Sequence, residues 1–170
     1  LKQSLMPSPD LYLVHGPQYK KILSEFYESN KIKILGCLRN ENLFSLKTNR
    51  ENIRNKIESS YNLGGKKNVL VAPSLNDLED ILLIIKKLNK FNDINIILRP
   101  HPITNKTLVI QKLKNLNIQL KINVIDDFST YELLCISDLV ISGDSTIPFE
   151  AAFLGVQSVR VIQKEKFPLY

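Results

Sequence analysis

Two stretches of this 170-residue chain combine residue types that can handle phosphate. The first is Ile96-Ile97-Leu98-Arg99-Pro100-His101-Pro102, an apolar run that ends in a guanidinium and an imidazole set between two prolines. Proline presets the backbone, so His101 is preorganised to hydrogen-bond a phosphate oxygen or to assist a leaving group. The competing reading has His101 capping the next helix or holding a loop carbonyl. The second stretch runs from Ser137 to Glu150 and reads as strand, tight turn and helix. Gly143 lets the backbone turn closely, Ser145 or Thr146 can cap the helix, and free first-turn N–H groups would suit a diphosphate. Pro148 costs no helical bond there, and Glu150 can accept hydrogen bonds from sugar hydroxyls. The plainer reading is an ordinary strand-to-helix turn capped by Asp144 and Ser145.

These residues need a scaffold, and hydrophobic period supplies one. Continuous apolar runs at Leu11 to His15, Ile32 to Gly36, Asn68 to Ala72, Ile94 to Arg99, Gln119 to Ile125, Leu139 to Ser142 and Ser158 to Ile162 read as strands covered on both faces. Helical spacing fills the gaps: Leu78, Ile81, Leu82, Ile85 and Leu88 recur within Asn76 to Lys90, with Asn76 and Glu79 as a capping box. Ser129 with Glu132 forms a second box, and Gly155 stops a helix that starts near Ser145. Lys47 to Asn62 reads as a helix ended by Gly64 and Gly65, with Lys47, Arg50 and Arg54 on its outer face. The alternation predicts an α/β fold, a Rossmann-like open parallel sheet with helices on both faces. In such sheets ligands bind beyond the carboxyl ends of the strands, so both turns are expected to face one pocket. Residues 1–30 read as a linker or the last strand–helix unit of a preceding domain, and 31–170 as the main domain.

Other chemistry is poorly supported. The glycine-rich dinucleotide fingerprint and the lysine-bearing phosphate loop are absent, because Gly64-Gly65-Lys66-Lys67 precedes a strand instead of following one. Asp126 and Asp127 read as a solvated loop before a cap rather than a metal site, and His15 as structural. Cys37 and Cys135 provide neither a disulfide framework nor zinc-ligand spacing, which points to a reducing cytoplasm. Twenty-three basic against 17 acidic residues give +6, which suits an anionic partner such as a phosphate-bearing ligand or a membrane surface. Apolar residues at 44% and charged residues at 24% exclude wholesale disorder. The opening at Leu1 leads us to expect a piece of a longer protein.

The order of Lys33 to Leu43, Val69 to Ser74, the Arg-Pro-His-Pro turn and Ser137 to Gly155 resembles the C-terminal, nucleotide-binding half of GT-B glycosyltransferases. It is most similar to the group holding CDP-glycerol glycerophosphotransferases, capsule-polysaccharide transferases and sialyltransferases with a His-Pro motif. The resemblance implies that Arg99, His101, Ser145 and Thr146 hold donor phosphate and that Asp144 and Glu150 reach ribose or the transferred group. Gly36, Arg39 and Gly143 would lie in cleft loops. It implies a CDP-, CMP- or UDP-type donor and a partner GT-B half bearing the acceptor site, with no metal, cofactor or nucleic acid. A cytoplasmic protein serving surface polysaccharide or capsule synthesis is expected; Lys47, Arg50 and Arg54 read as a solvated face, and they would touch anionic lipid only if the chain were a membrane-associated scaffold. A relative of non-hydrolysing UDP-N-acetylglucosamine 2-epimerases fits less well, since Thr146-Ile147 and Phe149-Glu150 replace that group's pattern. A domain of the same descent that binds without catalysis is the third reading.

Overall fold

The computed structural model describes residues 9–37, 41–118 and 122–162. Contacts divide the chain into two units, Leu1–Asn42 and Leu43–Tyr170.

In the first unit, β1 (Tyr12–Val14) and β2 (Ile32–Ile34) form a two-stranded parallel sheet joined through α1 (Pro17–Leu23). The run at Ile32 was expected to open the main series of strands. It pairs instead with β1, since a strand that follows its neighbour through one short helix pairs locally. His15 Nδ1 lies 3.3 Å from the Gly36 carbonyl, and its ring meets Tyr19 edge-on.

From α2 (Glu41–Thr48) onward come α3 (Arg50–Tyr61), β3 (Lys67–Ala72), α4 (Leu78–Leu88), β4 (Ile94–Leu98) and α5 (Lys106–Asn115). The series continues through β5 (Ile122–Val124), α6 (Thr130–Ile136), β6 (Leu139–Ser142), α7 (Ile147–Phe153) and β7 (Gln157–Arg160). The five strands of the second unit are all parallel, in the order β5-β4-β3-β6-β7. Residues 119–121 of the expected strand before Ile125 lie outside the described residues.

Alternation along the strands sorts the core into two layers. Leu70, Ile97 and Val140 face Ile57 of α3, Leu133 and Ile136 of α6 and Ala151 of α7. Val69, Val71, Ile96, Leu98 and Ile141 face Ile81, Leu82 and Ile85 of α4 and Val109 and Leu113 of α5. Helices thus cover both faces of a parallel sheet, as the apolar runs predict. Among the described residues no helix is long and apolar enough to cross a membrane.

Local signals fared unevenly. Both halves of the Ser129–Glu132 box are present, and Gly155 follows α7 at φ +71. The Asn76–Glu79 box does not form: Asp77 is the N-cap of α4, and Glu79 pairs with Lys112. The single helix expected over Lys47 to Asn62 is two, broken at Asn49, and the second ends on left-handed Asn62 at φ +53, ahead of the two glycines.

The expected basic face is also corrected. Arg50 donates from Nε to the Cys135 carbonyl at 2.8 Å and from Nη1 to that of Leu154 at 3.2 Å, while Arg54 Nη2 donates to Ile136 at 3.0 Å. These are the orphan carbonyls at the ends of α6 and α7, where a cation also meets the negative end of the helix dipole. Lys47 alone of the three stays at the surface, with its ammonium 5.8 Å from the centre of the Phe153 ring.

Candidate functional site

Because all five strands run parallel, the carboxyl ends of β3, β4 and β6 lie on one edge. The chain leaves β3 toward β4 and β5, then returns to β6 on its other side, so the direction of winding switches between β3 and β6. That crevice is where open α/β sheets bind ligands. The Arg99–His101 turn follows β4 and the Gly143–Thr146 turn follows β6, flanking β3. At about 4.8 Å per strand, their strands are roughly 10 Å apart, within the span of a diphosphate and its ribose.

His101 is half-buried, and its Nδ1 accepts the N–H of Ile103 at 3.3 Å. An imidazole that accepts at Nδ1 carries its proton on Nε2, which leaves that N–H as the donor. This turn role is local; it does not cap α5, whose cap is the Asn105 side chain on the Thr107 N–H at 2.8 Å. Arg99 at the end of β4 is also half-buried, and its Nε has no partner among the described atoms.

The turn after β6 is tied differently than expected. Ser145 Oγ accepts the Ile147 N–H at 3.4 Å, Pro148 has no N–H, and the amides of Phe149 and Glu150 both bond to the Thr146 carbonyl. The first-turn donors of α7 are therefore used within the turn and are not free for a diphosphate. Thr146 Oγ1 donates to Glu150 Oε1 at 3.0 Å, and the Tyr131 hydroxyl reaches the same oxygen at 3.4 Å. Glu150 is thus a buried carboxylate, 5% exposed, held from two sides. Asp144 is at the surface, ion-paired with Arg160 of β7. Ser142, at the end of β6, is fully buried and its hydroxyl lacks a partner among the described atoms.

Gly36, at φ +87, belongs to the first unit, and Arg39 lies outside the described residues. Asp126 and Asp127 are engaged separately. The hydrogen bond from Lys106 holds the Asp126 carboxyl below its usual range, with Arg99 adding in the same direction against a desolvation that opposes both. Asp127 accepts the Tyr61 hydroxyl at 2.6 Å.

Burial first, then that bond, pushes the Tyr61 phenol up to about 12. Between pH 10 and 12 the unfolded chain loses this proton while the folded chain keeps it, so stability falls as pH rises through that window. An ultraviolet titration of the tyrosines is expected to show a late step near pH 12 that Tyr61→Phe abolishes. A titration in which Tyr61→Phe alters only the step at the ordinary tyrosine pKa refutes this.

What the sequence missed is the loop between β3 and α4. Asp77 is 3% exposed, and no motif marks it.

The family model for CDP-Glycerol:Poly(glycerophosphate) glycerophosphotransferase matches residues 3–155. Among curated proteins, no sequence matches. The chain is similar in structure to the wall teichoic acid polymerase TagF at TM-score 0.59 and 21% identity, covering 88% of this chain and 38% of that one. A TagF variant with CDPG gives 0.58 at 21%, covering 88% and 37%. HepE from Anabaena, in complex with UDP-glucose, gives 0.58 at 15%, covering 89% and 44%. At such identities the likeness shows the fold, and the chain spans less than half the length of these proteins. The family model matches nearly the whole chain, and the protein belongs to the CDP-glycerol:poly(glycerophosphate) glycerophosphotransferase family.

Proposed function

We propose that this chain is the donor-binding half of a transferase that moves glycerophosphate, or a related group, from a CDP-activated donor onto a growing surface polymer. The observation that carries the reading is the placement of His101 and of Ser145 and Thr146 on one sheet edge, on either side of β3. The family description favours a CDP donor over a UDP donor.

In glycerophosphate transfer an acceptor hydroxyl forms a new P–O bond as the phosphoanhydride bond to CMP breaks. Negative charge grows on the departing phosphate. The His101 Nε2–H is the group placed to meet it, with the Arg99 cation adding a favourable field. With its first-turn amides used internally, α7 contributes the Ser145 hydroxyl rather than a row of free N–H groups. Glu150, held by Thr146 and Tyr131, is the acceptor for ribose or glycerol hydroxyls. The acceptor site and the base that activates the hydroxyl belong to the other half of the transferase.

Calorimetric titration tests this. Wild type is expected to bind CDP-glycerol more tightly than UDP-glucose, and His101→Ala to weaken CDP-glycerol binding by about ten-fold to a hundred-fold, the worth of one hydrogen bond to a charged group. The melting temperature should barely move, because the imidazole's hydrogen bond among the described residues, to the Ile103 amide, stays within its own turn. Equal affinities in wild type and variant would remove His101 from the site, and no binding of either nucleotide by wild type would reject the donor-half reading.

A further inference from the structure

The loop between β3 and α4 holds a side chain fixed more tightly than capping requires. Asp77 Oδ1 accepts the Ser74 amide at 2.7 Å and Oδ2 accepts the Ser74 hydroxyl at 2.6 Å, so the buried carboxylate is locked in one orientation. It makes no side-chain bond to the helix it begins. An ideal Cβ built on Gly143 would fall inside this carboxylate. Gly143 has no left-handed φ, so clearance and not backbone conformation demands a glycine there. The carboxylate therefore packs on the backbone of the β6–α7 turn, across the two strand ends where the winding switches.

We propose that Asp77 is a positioning residue: held by Ser74, it seats against Gly143 and sets the path of the turn from Asp144 to Thr146 without touching the donor. The inference rests on reading this sheet edge as the donor site. A carboxylate over Gly143 repels a phosphate from that spot, which leaves Gly143 a steric role.

A double-mutant cycle on the 170-residue chain tests the contact. Gly143→Ala is expected to lower the melting temperature by about 5–10 °C in the wild-type background, an overpacking effect. With Asp77→Ala present, the vacated space admits the new methyl, and the further drop should be less than half as large. Hydrogen exchange reads the turn directly: amides of Asp144 to Thr146 are expected to exchange about ten-fold faster in Asp77→Ala and at the wild-type rate in the isosteric Asp77→Asn. Equal losses from Gly143→Ala in both backgrounds, or unaltered exchange in Asp77→Ala, overturn the proposal. Titration with CDP-glycerol separates it from the donor reading. Affinity lost in Asp77→Ala and kept in Asp77→Asn supports both, whereas faster exchange in a chain whose wild type binds no nucleotide supports the positioning contact and rejects the donor site.

Discussion

Ile97→Ala is expected to destabilise the chain by about 2–5 kcal/mol, the range for removing a fully buried branched side chain. Ile97 has no exposed surface and sits on β4 opposite Leu70 of β3, which in turn sits opposite Val140 of β6. The three side chains form one row beneath α3 and α6. Sheet backbone on either side resists collapse into the void, so the cost should fall in the upper part of the range. Ile97→Val, which removes one methylene, should cost about 0.5–1.5 kcal/mol. Urea denaturation with an unchanged slope is the measurement. A loss below 1 kcal/mol for the alanine variant would mean that this layer is not packed as described.

Asn68→Leu is expected to cost about 2–4 kcal/mol, although it puts an apolar residue of similar size into a buried site. Asn68 is fully buried on the central strand, and its amide is saturated. Nδ2 donates to Glu58 Oε1 at 3.2 Å and to the Ile136 carbonyl at 3.0 Å, while Oδ1 accepts Asn95 Nδ2 at 2.9 Å. Leucine would strand those partners in a low-dielectric setting. Asn68→Asp is a sharper case, since it buries a second carboxylate beside Glu58. Burial and like charge raise the folded-state pKa of the new group, so its neutral form is the one the fold tolerates. Stability of this variant should be greatest at acid pH and should fall as pH rises past the ordinary carboxylate range. A pH-independent loss would show that the site is open to water.

The parts of the fold that depend on neighbours along the chain were legible. Apolar runs located the strands because a parallel sheet buries both faces, and Ser129 with Glu132 marked α6 because both partners of that cap lie within one turn. The misreadings concern partners distant in sequence. Asn76 and Glu79 have the spacing of a capping box, yet Asp77 outcompetes them because its carboxylate is fixed by Ser74 and packed on a glycine 66 positions away. Arg50 and Arg54 read as a solvated face, since nothing local reveals that helix ends 82 to 104 residues later present bare carbonyls to them. His101 and Ser145 were singled out by residue type and by the prolines and glycine around them. Their common edge followed from the parallel sheet. The saturated first turn of α7 was not readable, because Ser145 and Thr146 have several equivalent partners until the turn closes.

The strand order also dictates when the sheet can be completed during synthesis. β3 pairs with β4 across a short helical connection, but its other edge waits for β6, whose residues lie 70 positions later in the register Val69 with Leu139. At about 5–20 residues per second, that edge stays open for roughly 4–14 s on the ribosome. The exposed strand is Val69-Leu70-Val71-Ala72, apolar throughout and without a charge to discourage pairing with another chain. Slow codons or a stalled ribosome between residues 72 and 139 would lengthen this interval, so the yield of soluble chain should depend on translation speed and chaperone supply more than on the stability of the finished domain.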